Sequence, residues 1–248
     1  MIDPPLAPPD QRRAQLAVSL ARVRSRIARA CASAGRDRAG VTMVAVTKTY
    51  PAGDVLLLAG LGVADVGENR DQEAAPKAAE VAAAGVHVRW HFVGRLQRNK
   101  TRSVVDYADL VHSVDSVRLA GALADAARRR RDRPLEVLIQ VSVDGDPGRG
   151  GAVPDSADPD HGVGPVAAEI ARHDPLRLAG VMAVAPQGWA PERAFARLAE
   201  VAARLRAEYP EAVAISAGMS GDLETAIGCG ATHVRVGSAL LGMRPTLR

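Results

Sequence analysis

The stretch that decides the fold is the first strand–helix–strand unit, "VTMVAVTKTYPAGDVLLLAGLGVADVGEN", residues 41–69. It begins with a β-branched apolar run, continues into the helical pattern "GDVLLLAGLG" and closes with a second short run, "ADVGEN". Strands that alternate with helices form parallel sheets buried on both faces, because the crossover helices cover those faces. The unit therefore predicts two parallel strands joined by a helix.

The same alternation repeats along the chain. Six further short apolar runs are separated by helical patterns, at residues 87–94, 108–114, 135–143, 176–185, 212–218 and 233–242. Upstream, "QLAVSLARVRSRIARACASA" spaces its apolar residues by three and four, which predicts a long amphipathic helix. Eight strands in this alternation favour a (β/α)8 TIM-type barrel with an extra N-terminal helix. An open doubly wound sheet is the competing architecture, which alternation alone does not exclude.

We expect a single barrel domain over residues 10–248, preceded by a flexible tail over residues 1–9 that contains four prolines. The segment 144–164 is rich in Gly, Pro and Asp and predicts a long flexible loop, either a mobile lid or plain disorder. Neither a signal peptide nor a membrane-spanning run is expected, since the N-terminus is Pro-rich and acidic.

Composition narrows the class of protein. Aromatic residues make up only 3%, which argues against a base-stacking surface for single-stranded nucleic acid. The densest basic run, "RRRRDR" at 128–133, is interpreted as a solvated helix C-terminus, with a weak nucleic-acid or phosphate patch as the alternative. Two cysteines form neither a disulfide framework nor a metal cluster, so we expect reduced thiols in a cytoplasmic protein. No histidine–carboxylate pair has metal-ligand spacing, and no metal is expected.

The first strand ends in a lysine, although the chain has few of them. Among 32 Lys and Arg residues only three are lysines: Lys48, Lys77 and Lys100. A lysine amine can lose its proton and attack a carbonyl, whereas guanidinium stays charged. Active sites of such barrels lie at the C-terminal ends of the strands, so Lys48 is a candidate carbonyl-reactive amine. The alternative is a lysine that only marks the exit of the strand into solvent.

Small and hydroxylated residues follow the seventh and eighth strands: Ser216, Ser220, Gly237 and Ser238. Taken alone, Ser220 could equally be an ordinary helix cap. The loops after strands seven and eight are, however, where barrels often hold a phosphate group. A carbonyl-reactive lysine opposite a phosphate site suggests pyridoxal phosphate. His91, within the third strand, is at least as well explained as a structural histidine.

Several blocks, in order, carry a resemblance to a known family. "AVTKTYP", "VGENRDQE", "WHFVGRLQRNK" and "ISAGMSGDLETAIGCGATHVRVGSALLG" resemble signature blocks of the pyridoxal phosphate homeostasis protein family, relatives of the alanine racemase N-terminal barrel. The resemblance implies that Lys48 forms a Schiff base with the cofactor and that Arg235 faces the pyridine nitrogen. It also implies that Asn69 and Met182 line the ring. The implied phosphate ligands are Ser216, Ser220, Gly237 and Ser238.

The function implied by the resemblance is to hold pyridoxal phosphate and deliver it to apo-enzymes, with little or no racemase activity. An arginine at the pyridine nitrogen leaves the ring a weak electron sink. Because the sequence stops six residues after Gly242, we expect no second domain, no second catalytic base and a monomer. The alternative is a cofactor-dependent racemase or related enzyme with Tyr50, His91 or His112 as acid or base. An aldolase-like barrel and a nucleic-acid-binding module rank behind it.

The chain departs from the usual family blocks at Arg70, Asp71, Arg95 and Arg98, and in "VSVDGDPGRGG" before the long loop. These departures leave the implied cofactor residues intact. They leave open how partners dock and whether a second, non-covalent cofactor site exists near Lys100.

Overall fold

In the computed structural model, which describes residues 9–242, eight parallel strands close into a barrel in sequence order. The strands are β1 (Thr42–Val46), β2 (Asp65–Glu68), β3 (Arg89–Phe92), β4 (Leu110–Val114), β5 (Leu135–Gln140), β6 (Leu176–Met182), β7 (Ala214–Ser216) and β8 (His233–Val236). The pairing of β8 with β1, which sets Ala45 opposite Val236, closes the barrel. The predicted barrel is confirmed, and the open sheet is excluded.

All the helices but the last occupy predicted intervals. They are α1 (Pro9–Ser33), α2 (Ala52–Gly60), α3 (Asp71–Ala83), α4 (Thr101–Tyr107), α5 (Val117–Arg130), α6 (Val163–Ala171), α7 (Pro191–Glu208), α8 (Leu223–Gly228) and α9 (Ser238–Leu241). The extra N-terminal helix is confirmed, and it starts at Pro9, one residue earlier than predicted; residues 1–8 of the predicted tail lie outside the described residues. The eighth strand was predicted too long, because the chain turns at Gly237 (φ −110°, ψ −82°) into α9.

The apolar stripe of α1 is buried against the barrel. Leu16, Leu20, Val23, Ile27 and Cys31 are each at most 1% exposed, as their spacing predicts. They belong to one of two large clusters formed where the helices pack on the strands. A third cluster draws only on strand residues and therefore lies inside the barrel: Leu110, Leu138, Ala179, Met182 and Ala214. The apolar part of the barrel interior is thus supplied by β4 to β7.

The basic run at 128–133 is used by contacts within the chain. The guanidinium of Arg131 donates to the carbonyl oxygens of Val105 and Ala108 at 2.6 and 2.9 Å, at the end of α4. Arg130 and Arg133 pair with Asp106 and Asp109 respectively. The run is therefore more than a solvated helix end, since Arg131 is half-buried and closes a neighbouring helix.

The segment 144–164 contains local structure. A short 3-10 helix spans Pro147–Arg149, and isolated bridges join Val141 to Ala152 and Val153 to Gly162. The amide of Ala152 donates to the carbonyl of Gln140 at 2.7 Å, which attaches the loop to the end of β5. Its mobility and the single-domain boundary stay predictions. Among residues 9–242, no helix is long and apolar enough to cross a lipid bilayer.

Candidate functional site

Lys48 lies two residues beyond the end of β1, and its side chain is exposed. The backbone on both sides of it is held in place. The ammonium of Lys77 donates to the carbonyl of Thr47 at 2.9 Å, and the amide of Thr49 donates to a carboxylate oxygen of Glu73 at 3.0 Å. Thr49 also has a positive φ of 66°, which is uncommon outside glycine. The exposed amine therefore stands on a backbone that α3 anchors.

A buried ion pair between β2 and α3 provides that anchoring. Lys77 Nζ lies 2.6 Å from Glu68 Oε1, with exposed side-chain fractions of 7% and 0%. The hydroxyl of Thr47 donates to the same oxygen at 2.6 Å. Burial raises the pKa of Glu68, and this outweighs the opposite effect of the hydrogen bonds from Lys77 and Thr47. Sequence reasoning missed this pair, although the rarity of lysine in the chain was a usable signal.

The three lysines differ in their partners. Lys77 is neutralised by Glu68, and Lys100 lies 3.9 Å from Asp71. Among residues 9–242, Lys48 is the lysine that no carboxylate approaches within 4.0 Å. The structure thus distinguishes the three amines by their carboxylate partners, which the sequence does not reveal.

Arg235 projects from β8 and is 5% exposed. Its Nη1 donates to Ser216 Oγ at 2.6 Å, and its Nη2 donates to the carbonyl of Ala183 at 2.9 Å. Burial lowers the pKa of Arg235 to about 10, with Asp222 opposing the shift, so the guanidinium remains charged at neutral pH. No carboxylate within the described part of the chain hydrogen-bonds to it. Met182 lies opposite Ser216 in the register of β6 and β7.

The predicted phosphate residues divide into two environments. Ser220 Oγ accepts a hydrogen bond from the amide of Ala239 at 3.2 Å, which joins the loop after β7 to α9. Gly237 follows β8, where an added Cβ would lie 3.5 Å from the carbonyl oxygen of Val46, and Ser238 is exposed. Ser216 instead is fully buried, and its hydroxyl contacts Arg235 and His112. That hydroxyl is therefore engaged within the barrel rather than at the exposed exits of β7 and β8.

Asn69 follows β2 and carries a buried amide oxygen, Oδ1, that has no hydrogen-bond partner among residues 9–242. Its backbone lies close to Gly94, where any Cβ would overlap the Asn69 carbonyl oxygen. A buried polar atom without a partner costs free energy, so such an atom at a strand end points to a ligand as its partner. The unpartnered Asn69 oxygen at this strand end therefore fits an aromatic cofactor that carries polar substituents.

A chain of hydrogen bonds fills the polar part of the barrel interior. His91 on β3 contacts Asp65 Oδ1 through Nε2 and His112 Nε2 through Nδ1, both at 2.9 Å. His112 on β4 contacts Ser216 Oγ through Nδ1 at 2.9 Å. Burial, with His91 and Arg235 nearby, lowers the pKa of His112 well below its usual value. The sequence indicated a structural role for His91 at least as strongly as a catalytic one, proposed His91 and His112 as acid or base only in the racemase alternative, and gave no role to Asp65.

The acid–base groups of the racemase alternative are engaged elsewhere. His91 and His112 are each 0% exposed and belong to the hydrogen-bond chain inside the barrel. The hydroxyl of Tyr50 donates to the carbonyl oxygen of Gly242 at 2.9 Å. These contacts hold all three groups in structural hydrogen bonds.

A cleft of about 450 Å³ opens beside Asn69, and three of the departures from the usual family blocks, Arg70, Asp71 and Arg95, line it. It is lined in part by Arg70, Asp71, Arg95, Gln97 and Lys100. Cations and carboxylates are mixed on its walls, so charge alone selects no ligand. A second cofactor site near Lys100 stays an open question.

The chain matches known proteins over almost its whole length. The family model "Alanine racemase, N-terminal domain" matches residues 18–245. A relative from Mycobacterium tuberculosis (strain ATCC 25618 / H37Rv), named pyridoxal phosphate homeostasis protein, is 46% identical over 248 residues, 94% of each chain. A protein of the same name from Escherichia coli (strain K12) is 37% identical over 237 residues, covering 92% of this chain and 97% of its own.

Solved structures agree with these sequence matches. The structure of PipY from Synechococcus elongatus PCC7942 with pyridoxal phosphate bound is similar to this chain with a TM-score of 0.74 and 31% identity. The match covers 92% of this chain and 100% of PipY. Alanine racemase from Corynebacterium glutamicum, at 16% identity and a TM-score of 0.66, matches over 64% of its length and shares the fold.

Proposed function

Because this chain belongs to the pyridoxal phosphate homeostasis protein family, we propose that it binds pyridoxal 5′-phosphate through a Schiff base on Lys48 and takes part in intracellular homeostasis and delivery of that cofactor. The observation that carries the proposal is the placement of an exposed amine and a buried guanidinium on adjacent strands of one barrel. Lys48 follows β1, and Arg235 lies on β8, the strand that pairs with β1. The Lys48 amine would hold the cofactor, whose bound form would supply the aldehyde carbon for the Schiff base, with water as the leaving group.

The polar groups around the barrel mouth suit the rest of the cofactor. Ser220, Gly237 and Ser238 would hold the phosphate with hydroxyl and amide donors at the exits of β7 and β8. Arg235 would face the pyridine nitrogen as a permanent donor, with Met182 beside it. The unpartnered amide of Asn69 would meet a polar ring substituent. Ser216 is assigned to the site through its hydrogen bond with Arg235.

We place this protein with carriers rather than enzymes. Racemisation needs an acid or base at the substrate α-carbon, and Tyr50, His91 and His112 are held in other hydrogen bonds. A guanidinium donor also leaves the pyridine nitrogen without a proton, so the ring withdraws electrons weakly. The racemase alternative is therefore less well supported. The cytoplasmic location, the monomeric state and transfer to apo-enzymes stay predictions.

Borohydride trapping tests the proposal. Purified protein is mixed with pyridoxal phosphate, reduced with borohydride, digested and searched by mass spectrometry for a pyridoxyl group. We expect the adduct on Lys48 in the native protein, no adduct in Lys48→Ala, and an unchanged adduct on Lys48 in the matched control Lys100→Ala. Absence of a visible absorption band and of any adduct in the native protein would refute the proposal.

Deuterium exchange separates a carrier from a racemase. The cofactor-loaded protein is incubated with L-alanine in heavy water, and the α-hydrogen is followed by proton NMR. We expect exchange at the slow rate of free pyridoxal phosphate. Exchange that exceeds this background and disappears in Lys48→Ala would favour the racemase alternative.

A further inference from the structure

Among residues 9–242, no carboxylate hydrogen-bonds directly to the buried guanidinium of Arg235, which is linked to one through intervening side chains. Ser216, His112 and His91 link it to Asp65, with heavy-atom distances of 2.6, 2.9, 2.9 and 2.9 Å along the chain. These five residues come from β8, β7, β4, β3 and β2. Both rings are fully buried, and Asp65 at the far end is 19% exposed. A permanent donor thus stands at one end and an acceptor at the other.

The two ends fix the direction of every hydrogen bond between them. Guanidinium is donor-only, so Ser216 Oγ accepts from Arg235. A carboxylate is acceptor-only, so His91 Nε2 carries a hydrogen and donates to Asp65. Burial acts to raise the pKa of Asp65, whereas the hydrogen bond from His91 and the nearby guanidinium of Arg89 act to lower it, and the net shift is downward. The carboxylate is therefore ionised at neutral pH and accepts.

One arrangement uses every hydrogen in the chain. With His91 neutral, its Nδ1 accepts from Nε2–H of His112, and Nδ1 of His112 then accepts from the hydroxyl of Ser216. If His91 carried two hydrogens, His112 would accept from it and donate to Ser216. Arg235 and His112 would then both donate to the Ser216 oxygen. Neither neighbour could accept the Ser216 hydroxyl hydrogen, which would have no acceptor in the hydrogen-bond chain. A buried donor without an acceptor is costly, which favours the first arrangement.

We infer that Asp65, His91 and His112 are positioning residues for Arg235: they form, with Ser216, a one-directional hydrogen-bond chain in which both rings are neutral and carry hydrogen on Nε2. The chain orients the Ser216 lone pairs towards Arg235 and so sets the guanidinium in the barrel. That Arg235 in turn orients the cofactor rests on the function proposed above. The state of the hydrogen-bond chain itself does not depend on it.

Histidine tautomers can be measured directly in the cofactor-free protein. Long-range proton–nitrogen correlation spectra distinguish Nδ1–H, Nε2–H and doubly protonated rings. The chain has four other histidines, His87, His161, His173 and His233, and a His→Gln variant at each identifies its signal by loss. The two signals that remain belong to His91 and His112. At pH 7 we expect both rings as neutral Nε2–H. A doubly protonated ring, or Nδ1–H on either ring, would overturn the inference.

Removing the acceptor tests whether the far end directs the chain. In Asp65→Ala we expect a mixture of tautomers at His112, a ring that Asp65 does not contact. The control is Glu136→Ala. It removes a carboxylate that pairs with Arg89 and Arg177 and does not belong to the hydrogen-bond chain. His112 unchanged in a folded Asp65→Ala protein would refute the positioning role. If that variant does not fold, the tautomers of the native protein still decide the matter.

The cofactor provides the last readout. Outer partners that orient metal ligands typically change affinity by about 10–100-fold when they are removed. We therefore expect His112→Phe to release pyridoxal phosphate about tenfold faster than the native protein, as followed by absorbance, and Glu136→Ala to match the native rate. Equal rates in His112→Phe and the native protein would count against positioning. A native protein that takes up no cofactor would refute the proposed function and leave the tautomer result intact.

Discussion

The buried pair between Lys77 and Glu68 offers the sharpest test of how the site is built. Substituting Lys77→Met keeps the bulk of the side chain and removes the ammonium. Glu68 then stays buried with no cation beside it, and the carbonyl of Thr47 loses the ammonium as a donor while it keeps the amide of Tyr50 at 3.1 Å. Breaking a buried pair by removing one partner typically costs about 3–5 kcal/mol.

The magnitude and its pH dependence follow from the fate of Glu68. In the variant the carboxyl group must take up a proton, which costs about 1.4 kcal/mol for each pH unit above the unfolded value of about 4.3. That is about 3.7 kcal/mol at pH 7 and about 1 kcal/mol at pH 5. The lost hydrogen bond to Thr47 adds about 1 kcal/mol. We expect a total of about 4–5 kcal/mol at pH 7 and about 2 kcal/mol at pH 5.

The direction of the pH effect is fixed by the sign of the shift. When the pKa of a carboxyl group is higher in the folded than in the unfolded state, the protein loses stability as the pH rises above the unfolded-state pKa. The pKa of Glu68 is already raised in the native protein, so the native protein loses part of this stability over the same range. The total given for pH 7 is therefore an upper value, and the difference between the proteins widens from pH 5 to pH 7.

Urea unfolding at the two pH values measures this difference. The matched control is Arg70→Met, which breaks an exposed pair with Glu73 at 3.6 Å, with exposed side-chain fractions of 69% and 32%. It should cost less than about 0.5 kcal/mol. The double change Lys77→Met with Glu68→Leu should recover most of the lost stability, since no buried charge remains. A cost below about 1 kcal/mol at pH 7, or the same cost at both pH values, would refute the reasoning.

Two further predictions concern close packing and thiol reactivity. Gly94→Ala should lower the free energy of unfolding by more than about 2 kcal/mol, because its Cβ would overlap the backbone of Asn69; Gly164→Ala, in open space within α6, should raise it by about 0.5–1 kcal/mol. Thermal melts check both, and equal effects would contradict the packing argument. Burial raises the pKa of the Cys229 thiol, and Cys31 is 1% exposed. Iodoacetamide at pH 7 should therefore label Cys229 slowly and Cys31 only after unfolding; fast labelling of Cys31 would show that α1 opens.

Some of the site could be predicted from sequence, and some could not. The position of Lys48 follows from a local pattern, since a lysine that ends a strand of a parallel barrel must lie at its C-terminal face. The roles of Ser220 and Ser216 do not follow, because both are serines near the same strand end. Ser220 hydrogen-bonds the amide of Ala239, whereas Ser216 is drawn inside by Arg235 and His112.

The sequence by itself determined the element order, the number of strand–helix units and the buried stripe of α1, since hydrophobic periodicity is local and repeats along the chain. It also carried the family resemblance through blocks of adjacent residues. Only the tertiary structure decided which polar groups meet inside the barrel. His112 and Ser216 are 104 positions apart, yet their side chains are 2.9 Å apart. Closure of the sheet brings such residues together, and the low-polarity interior then requires each donor to find its acceptor.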